Sequence, residues 1–320
     1  DSIHITKPVP VRLEHESLYE MAEPLLQWYQ ENKRDLPWRN TKDPYLIWLS
    51  EIMLQQTRVE AVKPFFERFR KELPSVRELA EVPEDKLLKL WEGLGYYNRV
   101  RNMQKAALQI MERHGGKFPD TYEDIESLTG IGSYTAGAIS SFAYGIPKPA
   151  VDGNVLRVIS RITECYDDIA KASVKTAMET TLEQVMPKDA AGDFNQALIE
   201  LGATVCVPNG APRCEECPLA HLCQAKQHDT WDELPVKSKA KDRKIEMKTV
   251  FIFKDGENVA IHKRDGKGLL AGLYELPNVE GHFTQEEALE YSKQIGLAPI
   301  HIEPLGKAKH IFSHVEWQML

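Results

Sequence analysis

Leu128-Thr129-Gly130-Ile131-Gly132-Ser133-Tyr134-Thr135-Ala136-Gly137 sets two glycines two residues apart, directly before a run with helical spacing. Glycine carries no Cβ to hold a ligand off the backbone, and a helix N-terminus presents N–H groups without intrahelical partners. Such a turn can therefore face a phosphate. A purely structural turn fits the same letters. The surroundings are helical: from Ser17 to about Cys223, apolar residues recur every three or four positions, broken at Pro37, Pro44, Pro74, Pro83, Pro119 and Pro147.

The chain has 320 residues, of which 42% are hydrophobic, a composition that excludes collagen-like, disordered and coiled-coil classes. At roughly 150 residues per domain the length predicts two domains, each able to bury a core without disulfides. No apolar run approaches the roughly 20 residues of a bilayer span, so a soluble protein with no membrane partner is expected. The start, Asp1-Ser2-Ile3-His4, lacks the pattern of a secretory signal and reads as a processed or trimmed end. A net charge of −8 argues against coating nucleic acid by bulk electrostatics, but permits a local DNA site built from backbone amides.

The texture changes after residue 230. Between Pro235 and Lys248, the cations Lys237, Lys239, Lys241, Arg243, Lys244 and Lys248 stand against Asp242 and Glu246, which places a basic linker at 231–247. Its charge suits either a phosphate backbone or a solvated tether. Thr249-Val-Phe-Ile-Phe253 and Asn258-Val-Ala-Ile-His262 then read as strands joined through Asp255-Gly256, opening an α+β domain at 248–320. Trp317-Gln318-Met319-Leu320 reads as the middle of a strand, so this domain is expected to be incomplete.

Two carboxylic acids stand out. Asp152, in Ala150-Val-Asp-Gly-Asn-Val155, heads the helix Val155 to Thr163, where capping alone accounts for it. Glu51 follows the helix start Asp43-Pro44 and has Ile47, Trp48 and Leu54 as turn neighbours. A solvated glutamate is the ordinary outcome on a helix. A carboxyl packed against Trp and Ile would instead have a raised pKa and stay a proton donor near neutrality. One protonated and one ionised carboxyl are what cleavage of a glycosidic bond requires.

Four of the five cysteines read Cys206-x7-Cys214-x2-Cys217-x5-Cys223, after the helix Phe194 to Thr204, with Cys165 apart. Four thiolates so close in sequence can surround one iron-sulfur cluster. Zinc is the rival, although its common pattern uses two separate Cys-x2-Cys hooks and only one is present.

Taken together, the Leu-Thr-Gly-Ile-Gly turn, Val-Asp-Gly-Asn and the clustered cysteines resemble the helix-hairpin-helix DNA glycosylases with an iron-sulfur cluster. Within that superfamily the chain resembles the MutY family, A/G-specific adenine DNA glycosylases. The likeness is dense from Leu18 to about Gln224, through Leu36-Pro-Trp-Arg39, Ser50-Glu-Ile-Met-Leu-Gln-Gln-Thr57, Gly93-Leu-Gly-Tyr-Tyr97 and Phe194-Asn-Gln-Ala197, and thinner up to Phe312-Ser-His314. It implies a multidomain protein: an all-α helix-hairpin-helix glycosylase region over 1–230, then the linker, then a MutT/Nudix-like lesion-recognition domain over 248–320. The all-α region would comprise a six-helix barrel at about 38–145 and a cluster domain at about 16–37 plus 146–229.

The resemblance also implies an activity: flipping out and hydrolysing adenine mispaired with 8-oxoguanine or guanine in double-stranded DNA, leaving an abasic site. Glu51 would protonate the departing base and then activate water. Ionised Asp152 would stabilise the sugar cation, positioned by Tyr134 and Asn154. Arg39, Gln196, Trp38 and Leu54 would hold the extruded base. Gln56, Thr57, Leu94, Tyr96, Gly130 and Gly132 would contact DNA, with Gln56 and Tyr96 as wedges. Cys206, Cys214, Cys217 and Cys223 would bind a [4Fe-4S] cluster, although Val207 to Arg213 makes the first spacing one residue longer than is usual in the family. Sister enzymes such as endonuclease III carry a lysine nucleophile where Tyr134 stands, so a monofunctional enzyme is expected. A monomer, DNA-associated in a bacterial cytoplasm, completes the expectation.

In the second domain, Gly272-Leu-Tyr-Glu-Leu-Pro277 resembles the strand before a Nudix box. The aligned Leu289, Glu290, Lys293 and Gln294 before Gly296 lack the paired glutamates that hold magnesium. Recognition of 8-oxoguanine would fall to Phe312, Ser313 and His314, with Ser313 foremost; strand-end chemistry is the other reading of this short match. Competing functions are an endonuclease III-like glycosylase for oxidised pyrimidines, a non-enzymatic lesion-binding protein and a Nudix hydrolase.

Overall fold

The computed structural model describes residues 16–320, so the N-terminal segment Asp1 to His4 lies outside the described residues. The chain divides after Ser238 into two units. Among the described residues no helix is long and apolar enough to cross a membrane.

The first unit is helical, and the helices that matter for the site are apolar on nearly every side. Pro44–Leu54 buries every residue from Tyr45 to Met53. A helix with no polar face must sit inside the molecule, which drags Glu51 inside with it. Its start is fixed by Asp43, whose side chain accepts from the Tyr45 N–H at 3.0 Å, and by Pro44 in the first turn. Ser133–Tyr144 is buried from Thr135 to Phe142 and packs against Pro44–Leu54. Gly137 lets the same helix lie against the Pro149–Ala150 backbone, since a Cβ there would lie 2.0 Å from the Pro149 carbonyl oxygen.

The turn quoted at the outset joins Tyr122–Glu126 to Ser133–Tyr144, giving a helix-hairpin-helix. Gly130 has φ 80°, and Gly132 is the N-cap of the second helix with open space where a Cβ would be. Gly153–Thr163, buried from Val155 to Thr163, packs against Ala191–Thr204. These two helices share a core with Leu18, Met21 and Leu25 from the N-terminal end of the unit, and Cys206, Cys217 and Cys223 pack on its edge. Edge-to-face pairs Trp38–Phe66 at 5.6 Å, Trp48–Phe118 at 5.6 Å and Phe69–Trp91 at 5.7 Å fill the space around Pro44–Leu54.

The second unit holds a four-stranded sheet in the order Asn278–Glu280, Lys244–Val250, Val315–Met319, Ala308–Ile311. Lys244–Val250 runs parallel to Val315–Met319, with Lys244 opposite Val315, and antiparallel to Asn278–Glu280. The Asp255-Gly256 turn joins Lys254–Asp255 to Asn258–Val259, with Gly256 at φ 62°. The helix Gln285–Gln294, which carries the degenerate Nudix stretch, opens on a reciprocal capping box between Thr284 and Glu287.

The linker expectation needs correction at both ends. Leu234 is buried in the first unit, its carbonyl accepting from Arg161 Nε at 3.0 Å, and the Val236 carbonyl accepts from the Ile169 N–H at 2.9 Å. At the other end Lys244–Val250 is a strand, whereas Phe251, Ile252 and Phe253 lie beyond it. The charged residues misled because they face an unusual neighbour. Glu246 accepts from Trp317 Nε1 at 3.1 Å and Lys248 lies 4.7 Å from the centre of its ring, while Ile245 and Met247 on the other face are exposed.

Candidate active site

Glu51 and Tyr134 meet although 83 positions separate them. Tyr134 stands in the first turn of the helix after the hairpin, and its hydroxyl donates to Glu51 Oε2 at 2.7 Å. Glu51 is 8% exposed. Burial and the nearby charge of Asp152 push its carboxyl up to about 7, against the opposing pull of the Tyr134 hydrogen bond and of Arg39.

Asp152 caps Gly153–Thr163: one oxygen accepts from the Val155 N–H at 2.9 Å and the other from Asn154 Nδ2 at 3.1 Å. Burial raises its pKa, and these two hydrogen bonds oppose the rise. The sequence reading had Tyr134 positioning Asp152. In the structure its hydroxyl serves Glu51, and Asn154 with the helix terminus serves Asp152. The reason is the chain path: Tyr134 projects from a helix packed on the one that carries Glu51, whereas Asp152 is held by its own helix end.

Asn154 is fixed in turn. Its Oδ1 accepts from Arg157 Nη2 at 2.9 Å, and Arg157 also donates to the carbonyls of Gly202 at 2.6 Å and Cys206 at 2.8 Å. Gly202 admits this crossing because a Cβ would come within 2.7 Å of Asn154 Cβ.

Arg39 and Gln196 are brought together through Tyr29. Its hydroxyl donates to Gln196 Oε1 at 2.5 Å, and the Arg39 guanidinium lies 5.7 Å from its ring centre. Arg39 is anchored by Glu200 at 2.5 Å, and Arg34 adds a second ion pair to the same carboxylate at 2.6 Å. Glu200 is completely buried; burial acts upward on its pKa, but hydrogen bonds from Arg39 and Arg34 hold it below the ordinary value. Trp38 is buried against Phe66, and Leu54 is half-buried at its helix end.

Among the proposed DNA contacts, Gln56 and Tyr96 are exposed and both have left-handed backbone, with φ 59° and 47°. Thr57 is half-buried, and Gly130 and Gly132 are exposed. Leu94 is a correction. At 6% exposed it points into the core beneath the Gly93–Gly95 turn, leaving Tyr96 as that turn's outward side chain. In the second unit Ser313 and His314 are exposed on the tight turn between Ala308–Ile311 and Val315–Met319, while Phe312 packs against Trp317 at 4.8 Å.

Cys206, Cys214, Cys217 and Cys223 line one pocket together with Arg161, Leu201 and Trp231. Among the described residues no three potential ligands stand close enough to hold a single metal ion. Four thiols lining one pocket are a donor set that fits an iron-sulfur cluster. Arg161 Nη1 donates to Cys206 Sγ at 3.3 Å.

Sequence reading missed Glu200, Arg34, Tyr29, Arg157 and Arg161. The signal that singled out Glu51, an acid among apolar helix neighbours, is equally present at Glu200 between Ile199 and Leu201. Arg157 and Arg161, one turn apart and flanked by Leu156, Val158 and Ile162, carry the same signal in cationic form.

The helical unit carries the fold of the base-excision DNA glycosylases. Residues 49–184 match the HhH-GPD superfamily of base excision DNA repair proteins, and residues 249–320 match the NUDIX domain. The chain is 33% identical to the human adenine DNA glycosylase over 91% of its own length and 64% of that protein's. It is 33% identical to the adenine DNA glycosylase of Buchnera aphidicola over 92% of its own length and 84% of the relative's. A solved thermostable thymine-DNA glycosylase superposes with a TM-score of 0.59 at 27% identity, over 66% of this chain and 97% of that one. The chain belongs to the adenine DNA glycosylase family.

Proposed function

We propose that this chain hydrolyses adenine from DNA where it is paired with 8-oxoguanine, leaving an abasic site without cutting the strand. The observation that carries the reading is a buried glutamate, hydrogen-bonded by Tyr134, that holds its proton up to about pH 7 beside a second carboxyl.

The base is extruded with Gln56 and Tyr96 filling the stack, and is received near Arg39 and Gln196. Glu51 gives its proton to N7 of adenine as the bond between N9 and the sugar C1′ breaks, so the base leaves neutral. Positive charge develops at C1′. Asp152, ionised and braced by the Val155 N–H and Asn154, stabilises it. Glu51, now a carboxylate, takes a proton from water as the hydroxyl adds to C1′, which restores the acid. With a phenol rather than an amine at position 134, no Schiff base forms there and the backbone stays intact.

Cys206, Cys214, Cys217 and Cys223 would hold a [4Fe-4S] cluster, which when bound would cross-link the loop rather than supply a proton. Arg157, bonded to both the Cys206 carbonyl and Asn154, transmits the loop's position to Asp152. Phe312-Ser-His314 reads 8-oxoguanine chiefly through the Ser313 hydroxyl, and the protein acts on DNA as a monomer.

The test is incubation with a duplex carrying adenine opposite 8-oxoguanine, followed by alkali to reveal abasic sites, beside duplexes carrying adenine opposite guanine and thymine glycol. Alkali-dependent breaks at adenine alone are expected, fastest opposite 8-oxoguanine. Release of thymine glycol, or breaks without alkali, would overturn the reading.

A further inference from the structure

Arg99 has no part in the chemistry above, yet its guanidinium is the point at which two distant turns join. Nη1 donates to the carbonyls of Ile52 at 2.8 Å, Met53 at 3.4 Å and Gln55, all at the C-terminal end of Pro44–Leu54. Nη2 donates to the carbonyls of Leu94 at 3.0 Å and Gly95 at 3.4 Å. The same group lies 5.2 Å from the Trp91 ring centre and 5.6 Å from that of Tyr96, and Trp91 Nε1 donates to the Gly95 carbonyl at 2.8 Å.

Each turn needs such an anchor. The first leads into Gln56 and the second into Tyr96, both non-glycine residues with positive φ, a strained conformation that persists only where its surroundings impose it. Arg99 stands in the first turn of the helix Asn98–Arg113, where the macrodipole disfavours a cation, while the carbonyls it caps belong to a helix C-terminus, where a cation is favoured. Burial lowers its pKa to about 10, still well above neutrality, so the fork stays charged. A planar guanidinium can bridge two sets of carbonyls at once; an ammonium on a flexible stem cannot span both.

We infer that Arg99 is a positioning residue that locks the Gln56 and Tyr96 turns into one rigid wedge, so that both side chains enter the duplex together when the base is extruded. This rests on the wedge role of Gln56 and Tyr96 proposed above. It adds that their spacing is set by one guanidinium rather than by each turn separately.

The test uses duplexes with 2-aminopurine in place of the target adenine opposite 8-oxoguanine, whose fluorescence rises on unstacking. Wild type, Gln56→Ala, Tyr96→Leu, Arg99→Lys and the double variant Arg99→Lys/Tyr96→Leu are compared. Arg99→Lys keeps the charge and should unstack the base about tenfold to a hundredfold more slowly, the scale on which misplacing a contact by an ångström acts. The double variant should be no slower than the worse single one. Base release by Arg99→Lys should recover on a duplex whose flanking pairs are mismatched, because extrusion there no longer needs a wedge; a merely destabilised enzyme would stay impaired.

Wild-type unstacking by both Gln56→Ala and Tyr96→Leu refutes the wedge reading and the inference with it. Impaired unstacking in those variants with normal unstacking in Arg99→Lys refutes the inference alone. So do additive losses in the double variant, or an absence of recovery on the mismatched duplex.

Discussion

Replacing Glu51 by glutamine should stabilise the protein while abolishing base release, and the size of the gain should depend on pH. Burial and the Asp152 charge raise the Glu51 carboxyl from 4.5 to about 7 in the fold. Below about pH 4.5 the group is protonated in both folded and unfolded chains and costs nothing. As pH rises towards 7 the unfolded chain ionises it and the folded chain does not, so wild-type stability falls, levelling off above the folded pKa. A displacement of about 2.5 units at 1.36 kcal/mol per unit gives about 3 kcal/mol. Glutamine has no such titration and still accepts the Tyr134 hydroxyl. Urea unfolding of both proteins, followed by far-ultraviolet circular dichroism because the helices are concentrated in the first unit, should show near-equal stability at pH 4 and a variant about 3 kcal/mol more stable at pH 8. Titrations common to both cancel in the difference. A difference that does not change with pH, or a wild type that is the more stable at pH 8, refutes the claim that Glu51 is held protonated by burial. Adenine release by the variant at the wild-type rate removes Glu51 from the chemistry.

Tyr134→Phe removes a hydrogen bond that favours ionised Glu51, so the alkaline limb of single-turnover base release should move upward by about one unit from its position near 7; a limb that stays or moves down contradicts the assignment. Glu200→Gln leaves the part-exposed Arg34 and Arg39 facing an uncharged amide and should cost about 1–3 kcal/mol in urea unfolding at neutral pH, with wild type losing part of its advantage on acidification as Glu200 protonates. Cys217→Ser should yield protein with less bound iron and weaker visible absorbance as purified; unchanged iron content would exclude Cys217 from the cluster.

The helical class, the hairpin before Ser133 and the second domain were legible because they depend on local pattern: apolar spacing, paired glycines and a turn signal each act within a few residues. The apolar turn neighbours of Glu51 were legible for a similar reason, but it took the helix Pro44–Leu54, buried from Tyr45 to Met53, to turn them into burial of the carboxyl. The strand Lys244–Val250 was not, because its inward face is charged and its place depends on Trp317, a residue far along the chain.

Sequence by itself determined which groups are available: one acid among apolar helix neighbours and another at a helix start, a phenol in place of an amine, four thiols on one loop and a Nudix-like stretch with Lys293 and Gln294 where paired glutamates would stand. Only the tertiary structure decided which group serves which. It gave the Tyr134 hydroxyl to Glu51 rather than Asp152, turned Leu94 inward and Tyr96 outward, closed Glu200 over Arg39, and brought one guanidinium to two turns. The physical reason is reach. Helix propensity and capping act over a few residues, whereas a pKa, an ion pair and a shared hydrogen-bond donor depend on what lies within a few ångströms, and chain separation does not set that distance.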